Sequence, residues 1–325
     1  MMKVKAGIYG GAGYTAGELL RILLNHPHVE VTWVQSESQA DKSLIEVHTD
    51  LVGETDLKFS KHLVVEDLDV LFLCKGHGES IGFYNHHKDS LTSVVVIDLS
   101  QDFRPRANDE GFVYGLPELN ESAIRKSQRI ANPGCFATCI QLGLLPAVSH
   151  QLVDGSIHVS GITGSTGAGQ KLAATSHFSW RDSNMSVYKA FEHQHLLEVK
   201  ESLLQEDERF NEDVHFIPYR GNFTRGIITT CYFPCDAELS VVKSFYKHYY
   251  ETSPFVHVID QNPNLKQVVN TNKVLIYLER HGEQLMVIAV IDNLLKGASG
   301  QAVQNMNIVF DWEQSIGLKL KANAF

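Results

Sequence analysis

The chain has 325 residues, of which 43% are hydrophobic and 20% charged, and its formal net charge is −10. Such a chain folds as a globular protein with room for two domains, and its acidic balance excludes nucleic acid as the natural partner. No apolar run approaches the ~20 residues of a membrane helix, and the 5 cysteines do not make a disulfide framework. The first residues run straight into a strand, without the apolar core and cleavage site of a signal peptide, so a reducing cytoplasm is the expected compartment.

Residues 4–9 read as a short strand that enters Gly10-Gly11-Ala12-Gly13-Tyr14-Thr15-Ala16-Gly17, and residues 18–24 continue as an apolar helix. Strand, glycine turn and helix in that order form the setting of a dinucleotide fingerprint. Gly10 and Gly13 let the backbone approach a pyrophosphate seated on the helix N-terminus. Residues 29–34 are the second strand, and residues 35–42 after it are where such a unit chooses between NAD and NADP. Glu37 suits a ribose 2′-hydroxyl, whereas Ser36, Ser38 and Lys42 suit a 2′-phosphate; these residues leave both open. Residues 69–74 are a third strand, nearly all apolar as a buried parallel strand is. It ends in the turn of residues 75–80, which contains Gly76. Residues 94–99 are a fourth, leading to Ser100, Asp102 and Arg104. Ligands of doubly wound sheets bind outside the carboxyl ends of the strands. The expected fold class is therefore α/β, with a Rossmann-type parallel sheet in the first domain.

Ala131-Asn132-Pro133-Gly134-Cys135-Phe136-Ala137-Thr138 places a cysteine at the mouth of a helix. Pro133 favours a helix start and Gly134 permits a tight bend. Ile140, Leu142, Leu144 and Leu145 carry the helix forward, and Pro146 stands near its far end. The helix dipole and the unpaired first-turn N–H groups favour thiolate at Cys135. A small buried core thiol is the competing reading. The pairs Cys135/Cys139 and Cys231/Cys235 are spaced C-x3-C, which is poor zinc spacing, and no metal is expected.

Downstream the pattern changes. Residues 156–162 alternate as a strand and end in a glycine loop containing Gly167 and Gly169, suited to an anion or to a plain linker. His193-Gln194-His195 precedes an amphipathic helix over residues 196–204. Residues 225–233 are a strand, residues 274–278 and 285–291 pair as a hairpin, and a final helix begins within residues 297–307. This half is expected to be α+β on a mixed sheet. A reactive thiol, a nucleotide turn and histidines that titrate near neutral pH suggest covalent reduction of an acyl group. A helix-capping role for the two histidines and a cysteine hydrolase using Cys135 with His195 are the alternatives; the latter needs no dinucleotide turn.

Several blocks together resemble the N-acyl-γ-glutamyl-phosphate reductases of arginine biosynthesis, relatives of aspartate-semialdehyde dehydrogenase. They are the Gly10–Arg21 segment, residues 96–104, Val113-Tyr114-Gly115-Leu116-Pro117-Glu118-Leu119-Asn120, the Cys135 motif, Gly167-Ala168-Gly169, His193-x-His195 and residues 292–307. The resemblance implies that Cys135 is the nucleophile and that one of His193 and His195 is the acid/base, His195 being favoured, with His193 orienting substrate. It implies NADP as cofactor, with NAD not excluded, on Gly10, Gly13, Tyr14, Thr15, Ser36, Ser38, Gly76 and Gly167, and Asn293 near the nicotinamide. It puts Arg104 on the phosphoryl group, with Ser100, His193 and Arg225 also on the substrate. The implied reaction reduces an N-acyl-γ-glutamyl phosphate, acetyl or succinyl, to the semialdehyde and phosphate; an aspartyl or aminoadipyl phosphate is the neighbouring alternative. The implied partners are that small substrate and further copies of the chain, in a dimer or tetramer. A nucleotide-binding domain of residues 1–134 and 298–325 would then flank a catalytic domain of residues 135–297. Two departures from the family's pattern stand out: Glu37, where Arg is common, and Leu196-Leu197, where Thr-Pro is usual.

Overall fold

The computed structural model describes residues 3–65, 67–76, 78–105 and 110–323. The chain divides into two compact units, Met1–Pro133 with Ala298–Lys319, and Gly134–Gly297 with Leu320–Phe325.

The first unit is built on a six-stranded sheet. Its strands are β1 (Val4–Tyr9), β2 (Val29–Gln35), β3 (Val70–Leu73), β4 (Val95–Asp98), β5 (Val113–Tyr114) and β6 (Arg129–Ala131). Their order is β2-β1-β3-β4-β6-β5 and every pairing is parallel. All four residues of β3 and of β4 are buried, as helices on both faces require. The helices α1 (Tyr14–Leu23), α2 (Ser80–His87) and α3 (Pro117–Ile124) connect these strands. In α1, Ala16, Leu19, Leu20, Ile22 and Leu23 are buried at helical spacing.

The second unit carries a seven-stranded mixed sheet. It begins with α4 (Cys135–Ser149) and β7 (Ile157–Thr163), then α5 (Phe178–Arg181), β8 (Ser186–Val187), α6 (His195–Glu206), β9 (Val214–Arg220) and β10 (Ile227–Pro234). It ends with α7 (Leu239–Tyr249), β11 (Val256–Ile259), β12 (Val274–His281) and β13 (Gln284–Ile291). The order β11-β12-β13-β10-β7-β9-β8 mixes parallel and antiparallel pairs. A hairpin joins β12 and β13 as expected, with both strands longer than the apolar runs that mark them. α8 (Gly300–Val309) then returns to the first unit, where residues 300–308 are all buried. Its Asn305 donates Nδ2 to the Gly115 carbonyl at 2.9 Å, and His26 Nε2 meets Asn307 Oδ1 at 3.1 Å.

α4 is buried along residues 136–148 and packs against α6, α7, β10 and β13. Pro146 lies inside it rather than at its end. Proline lacks the N–H that would bond the carbonyl four residues back. That carbonyl belongs to Leu142, and the Tyr250 hydroxyl donates to it at 2.6 Å; Tyr246 does the same for Gly143 at 2.8 Å. Tyr250→Phe is therefore expected to leave a buried acceptor unmet, costing about 1–3 kcal/mol. Thermal unfolding should show a midpoint lower by a few degrees, and an unchanged midpoint would exclude this bond as a support of α4.

Candidate functional site

Cys135 is the first residue of α4, and Gly134 before it is the extended N-cap. The first intrahelical bond runs from the Thr138 N–H to the Gly134 carbonyl at 2.8 Å. The amides of residues 135–137 precede it and have no partner within the helix. A β-carbon on Gly134 would fall 2.7 Å from His195 Cδ2, and one on Gly297 would fall 2.8 Å from Cys135 Cβ. The two glycines thus let His195 and the 297 turn close on the thiol. Burial pushes the Cys139 thiol up to about 12 and raises those of Cys74 and Cys231 as well, so all three stay protonated at neutral pH.

His195 opens α6 and Glu198 lies one turn on, both buried. The Gly134 N–H donates to Glu198 Oε2 at 2.8 Å, while Glu198 Oε1 stands 4.0 Å from His195 Nε2. One carboxylate thereby ties the entry to the cysteine helix to the histidine. Nothing singled Glu198 out in the sequence, although His-x-x-Glu spacing puts both residues on one helix face.

His193 precedes this turn. The His195 backbone N–H donates to its Nδ1 at 3.2 Å, so the neutral ring carries its proton on Nε2. Its ring packs at 4.6 Å from that of His195 and 5.7 Å from those of Phe136 and Tyr188. Burial, then Lys189 and Arg220, push His193 down to about 4, so it is neutral at physiological pH.

Other sequence-selected residues of this unit have structural partners. Arg225 donates Nε to Asp292 Oδ2 at 3.0 Å, with Nη2 at 2.9 Å from the same oxygen. Asn293 Oδ1 accepts from the Gly226 N–H at 2.7 Å, and its Nδ2 donates to Thr166 Oγ1 at 3.0 Å. Gly167 lies in the 3₁₀ turn Ser165–Ala168 beside it. Together these residues pin the loop after β7 to the ends of β10 and β13.

In the first unit, Gly10 has φ +87°, and a β-carbon there would come 2.9 Å from the Cys74 carbonyl carbon. At Gly13 a β-carbon would meet nothing within 4 Å, and α1 has no side-chain cap. Tyr14 and Thr15 form its first turn, Tyr14 being exposed. By contrast the mouth of α2 is occupied: Asp102 accepts from the N–H groups of Gly78, Ser80 and Ile81 at 2.7, 3.0 and 3.2 Å. Gly76 stands in this second turn; the adjoining His77 lies outside the described residues. Of these two strand-to-helix turns, only the one at α1 offers an uncapped helix end. Its tight Gly10 and open Gly13 fit a dinucleotide pyrophosphate.

Ser36 is buried and Ser38 exposed after β2, and the Ser36 N–H donates to the Ser60 carbonyl at 3.1 Å. Ser60 thus joins this loop from a segment the sequence left unmarked. Ser100 and Arg104 face inward. The Ser100 hydroxyl donates to Asp98 Oδ2 at 2.7 Å; burial raises that carboxyl to about 6 despite this bond. Arg104 donates Nε to the Asn132 carbonyl at 2.9 Å and Nη2 to the Leu99 carbonyl at 3.0 Å. It holds the segment that leads into Gly134. Among the described residues, no group of three or more His, Cys, Asp or Glu could hold a metal.

An uncapped nucleotide turn on a parallel sheet and a helix-mouth thiol on a mixed-sheet unit define a semialdehyde-dehydrogenase type of enzyme. The profile described as "Semialdehyde dehydrogenase, NAD binding domain" matches residues 5–127, and "Semialdehyde dehydrogenase, dimerisation domain" matches residues 135–293. Solved structures agree at the level of fold. Aspartate semialdehyde dehydrogenase II complexed with ASA from Vibrio cholerae aligns over 96% of this chain and 99% of that one, with a TM-score of 0.74 and 16% identity. The enzyme with NADP from Candida albicans aligns over 95% and 98%, with a TM-score of 0.70 and 15% identity. Sequence relatives narrow the class. N-acetyl-gamma-glutamyl-phosphate reductases of Phocaeicola vulgatus and Bacteroides fragilis are 55% and 54% identical over 322 residues, covering 99% of this chain and all of theirs. The chain belongs to the N-acetyl-gamma-glutamyl-phosphate reductase family.

Proposed function

We propose that the chain reduces N-acetyl-γ-glutamyl phosphate to N-acetyl-glutamate 5-semialdehyde, releasing phosphate, with NADPH as reductant and Cys135 as nucleophile. The observation that carries this reading is the convergence of Cys135, His195 and Glu198 around Gly134, in a chain of this family. Cys135 Sγ attacks the γ-carbonyl carbon; a C–S bond forms as the C–O bond to phosphate breaks. The first-turn amides of α4 donate to the carbonyl oxygen as negative charge builds on it. Gly10, Gly13 and the first turn of α1 would hold NADPH, which would supply the hydride that reduces the thioester. His195 takes the thiol proton before attack and gives a proton to the oxygen of the reduced carbon. That proton returns to His195 as the C–S bond breaks, releasing aldehyde and restoring thiolate. Glu198 orients His195, and Arg104 acts through the Asn132 carbonyl on the approach to Cys135. His193, neutral and fixed as its Nε2–H form, offers a donor to substrate.

Ser36, Ser38 and Ser60 supply hydroxyls and main chain for a 2′-phosphate, which favours NADP over NAD. Formation of a homo-oligomer, dimer or tetramer, through the second unit accords with the name of the family profile matched there, and a cytoplasmic setting with the free cysteines. The test is the reverse reaction with phosphate, NADP or NAD, and N-acetyl- or N-succinyl-glutamate semialdehyde. The highest kcat/KM is expected for the acetyl compound with NADP. Activity confined to aspartate or aminoadipate semialdehyde would overturn the substrate. Gly10→Ala, which adds a side chain at positive φ against Cys74, is expected to weaken NADPH binding about tenfold or more. Unaltered affinity by fluorescence titration would remove the α1 turn from the cofactor site.

A further inference from the structure

The second unit holds a concentration of positive charge that the chemistry above leaves unused. Arg220 ends β9 and Arg181 ends α5. Arg181 donates Nη1 to the Arg220 carbonyl and Nη2 to the Thr175 carbonyl, each at 3.0 Å. The Arg220 guanidinium lies over the Tyr188 ring, 4.6 Å from its centroid. The Nε atoms of both arginines are buried and meet no hydrogen-bond acceptor. Among the described residues, neither arginine makes an ion pair with a carboxylate. Arg181 is held below the usual guanidinium range, by burial and then by Arg220.

Two like charges side by side, with buried donors unmet, are unfavourable unless an anion joins them. A planar carboxylate matches the guanidinium fork best. The cluster also lies close to the two histidines. Tyr188 packs on His193, and His193 on His195, with ring centroids 5.7 and 4.6 Å apart. Arg220 and Lys189 both act on the charge of His193, and the charge of Cys135 acts on Tyr188. The cationic cluster thus adjoins the histidine pair through Tyr188. An N-acyl-glutamyl phosphate has two anionic groups. The phosphoryl group sits on the carbonyl that Cys135 attacks, and the α-carboxylate sits a short alkyl chain away.

We propose that Arg220, backed by Arg181 and flanked by Lys189, anchors the α-carboxylate of the acyl-phosphate substrate. The pair thereby selects aldehydes and acyl phosphates that carry a carboxylate at that distance. This rests on the substrate reading above. Arg220 is the binding residue; Arg181 positions it through its main-chain carbonyl and adds charge.

The experiment is steady-state kinetics of the full chain in the reverse direction. It uses phosphate, NADP and either N-acetyl-glutamate semialdehyde or 4-acetamidobutanal, the same aldehyde without the carboxylate. Arg220→Met should raise KM for the first aldehyde about ten- to hundredfold, as loss of a charged hydrogen bond does. It should lower kcat/KM for 4-acetamidobutanal far less, and leave KM for phosphate near that of the wild type. Arg220→Lys should recover part of the loss, and Arg181→Met should show a smaller rise. Thermal midpoint and NADP affinity, measured on each variant, report on folding. Equal losses with both aldehydes, or no loss with either, overturn the anchor. A raised KM for phosphate instead moves the pair to the phosphoryl group and overturns it too. The wild-type arm reports separately on the substrate: a preference for 4-acetamidobutanal there would bring down the reading itself, and the anchor with it.

Discussion

Cys135→Ala is expected to abolish turnover, by about 10⁴-fold or more, while NADPH affinity stays near that of the wild type. The size follows from the step removed. Without Sγ no C–S bond forms, and the acyl phosphate has no covalent route to the aldehyde. Cofactor affinity is spared because the α1 turn belongs to a unit folded on its own sheet. Cys139 cannot substitute: its sulfur is buried 3.2 Å from Thr229 Oγ1 and 3.4 Å from the Ala289 carbonyl, and burial keeps it protonated. Alkylation gives an independent check. Iodoacetamide should inactivate the wild type with loss of one reactive thiol, and substrate should protect it. Labelling of the Cys135→Ala protein at the same rate, or residual turnover above about one part in a thousand, would end the covalent mechanism.

What could be read in the sequence was what depends on neighbours in the chain. The β1–turn–α1 unit and the Cys135 helix mouth announce themselves through glycine, proline and helical spacing. The long hairpin β12–β13 is similarly local. β5 and β6 have only two and three residues and no period to detect. β9 carries Pro218 in its interior, which ordinarily argues against a strand; here Pro218 lies opposite Gly161 of β7, and its carbonyl accepts from Tyr188 at 3.1 Å. Candidate site residues divide the same way. Cys135, His193 and His195 stand in recognisable strings. Glu198 reaches Gly134, and Arg181, Arg220 and Tyr188 come together, only when α4, α5, α6 and β9 are placed, and composition does not show it. The arginines were also ambiguous. Arg225 and Arg220 differ little as letters, yet Asp292 neutralises one and, among the described residues, no carboxylate answers the other. Arg104 is a third case, its fork turned inward on the main chain that leads to the cysteine.

Exchange of the two histidines should separate their roles. His195→Asn is expected to lower kcat by about 10²- to 10³-fold, the ordinary worth of a general acid/base. His193→Asn is expected to act mainly on KM, with kcat lowered by about tenfold or less. The ground for the order is protonation. His193 is held near 4 by burial and by the cations Lys189 and Arg220, and its Nδ1 is occupied by the His195 amide, so it does not cycle a proton at neutral pH. His195 has the carboxylate of Glu198 beside it and the thiol's helix mouth against its ring. The pH dependence carries the same sign. An imidazole whose folded value lies below its unfolded value binds fewer protons when folded. His193 therefore contributes stability at neutral pH that is lost as pH falls from about 6.5 toward about 4. In His193→Asn that loss should be shallower over this window, measured by denaturant titration at a series of pH values. The pH profile of kcat should keep its shape in His193→Asn and lose its acid/base limb in His195→Asn. Glu198→Gln keeps the bond to the Gly134 amide but removes the charge facing His195. It should shift that limb without moving KM for phosphate, so a profile identical to wild type would strip Glu198 of its orienting role. If instead the larger kcat loss and the vanished limb belonged to His193→Asn, the proton would travel through His193 and the assignment would reverse.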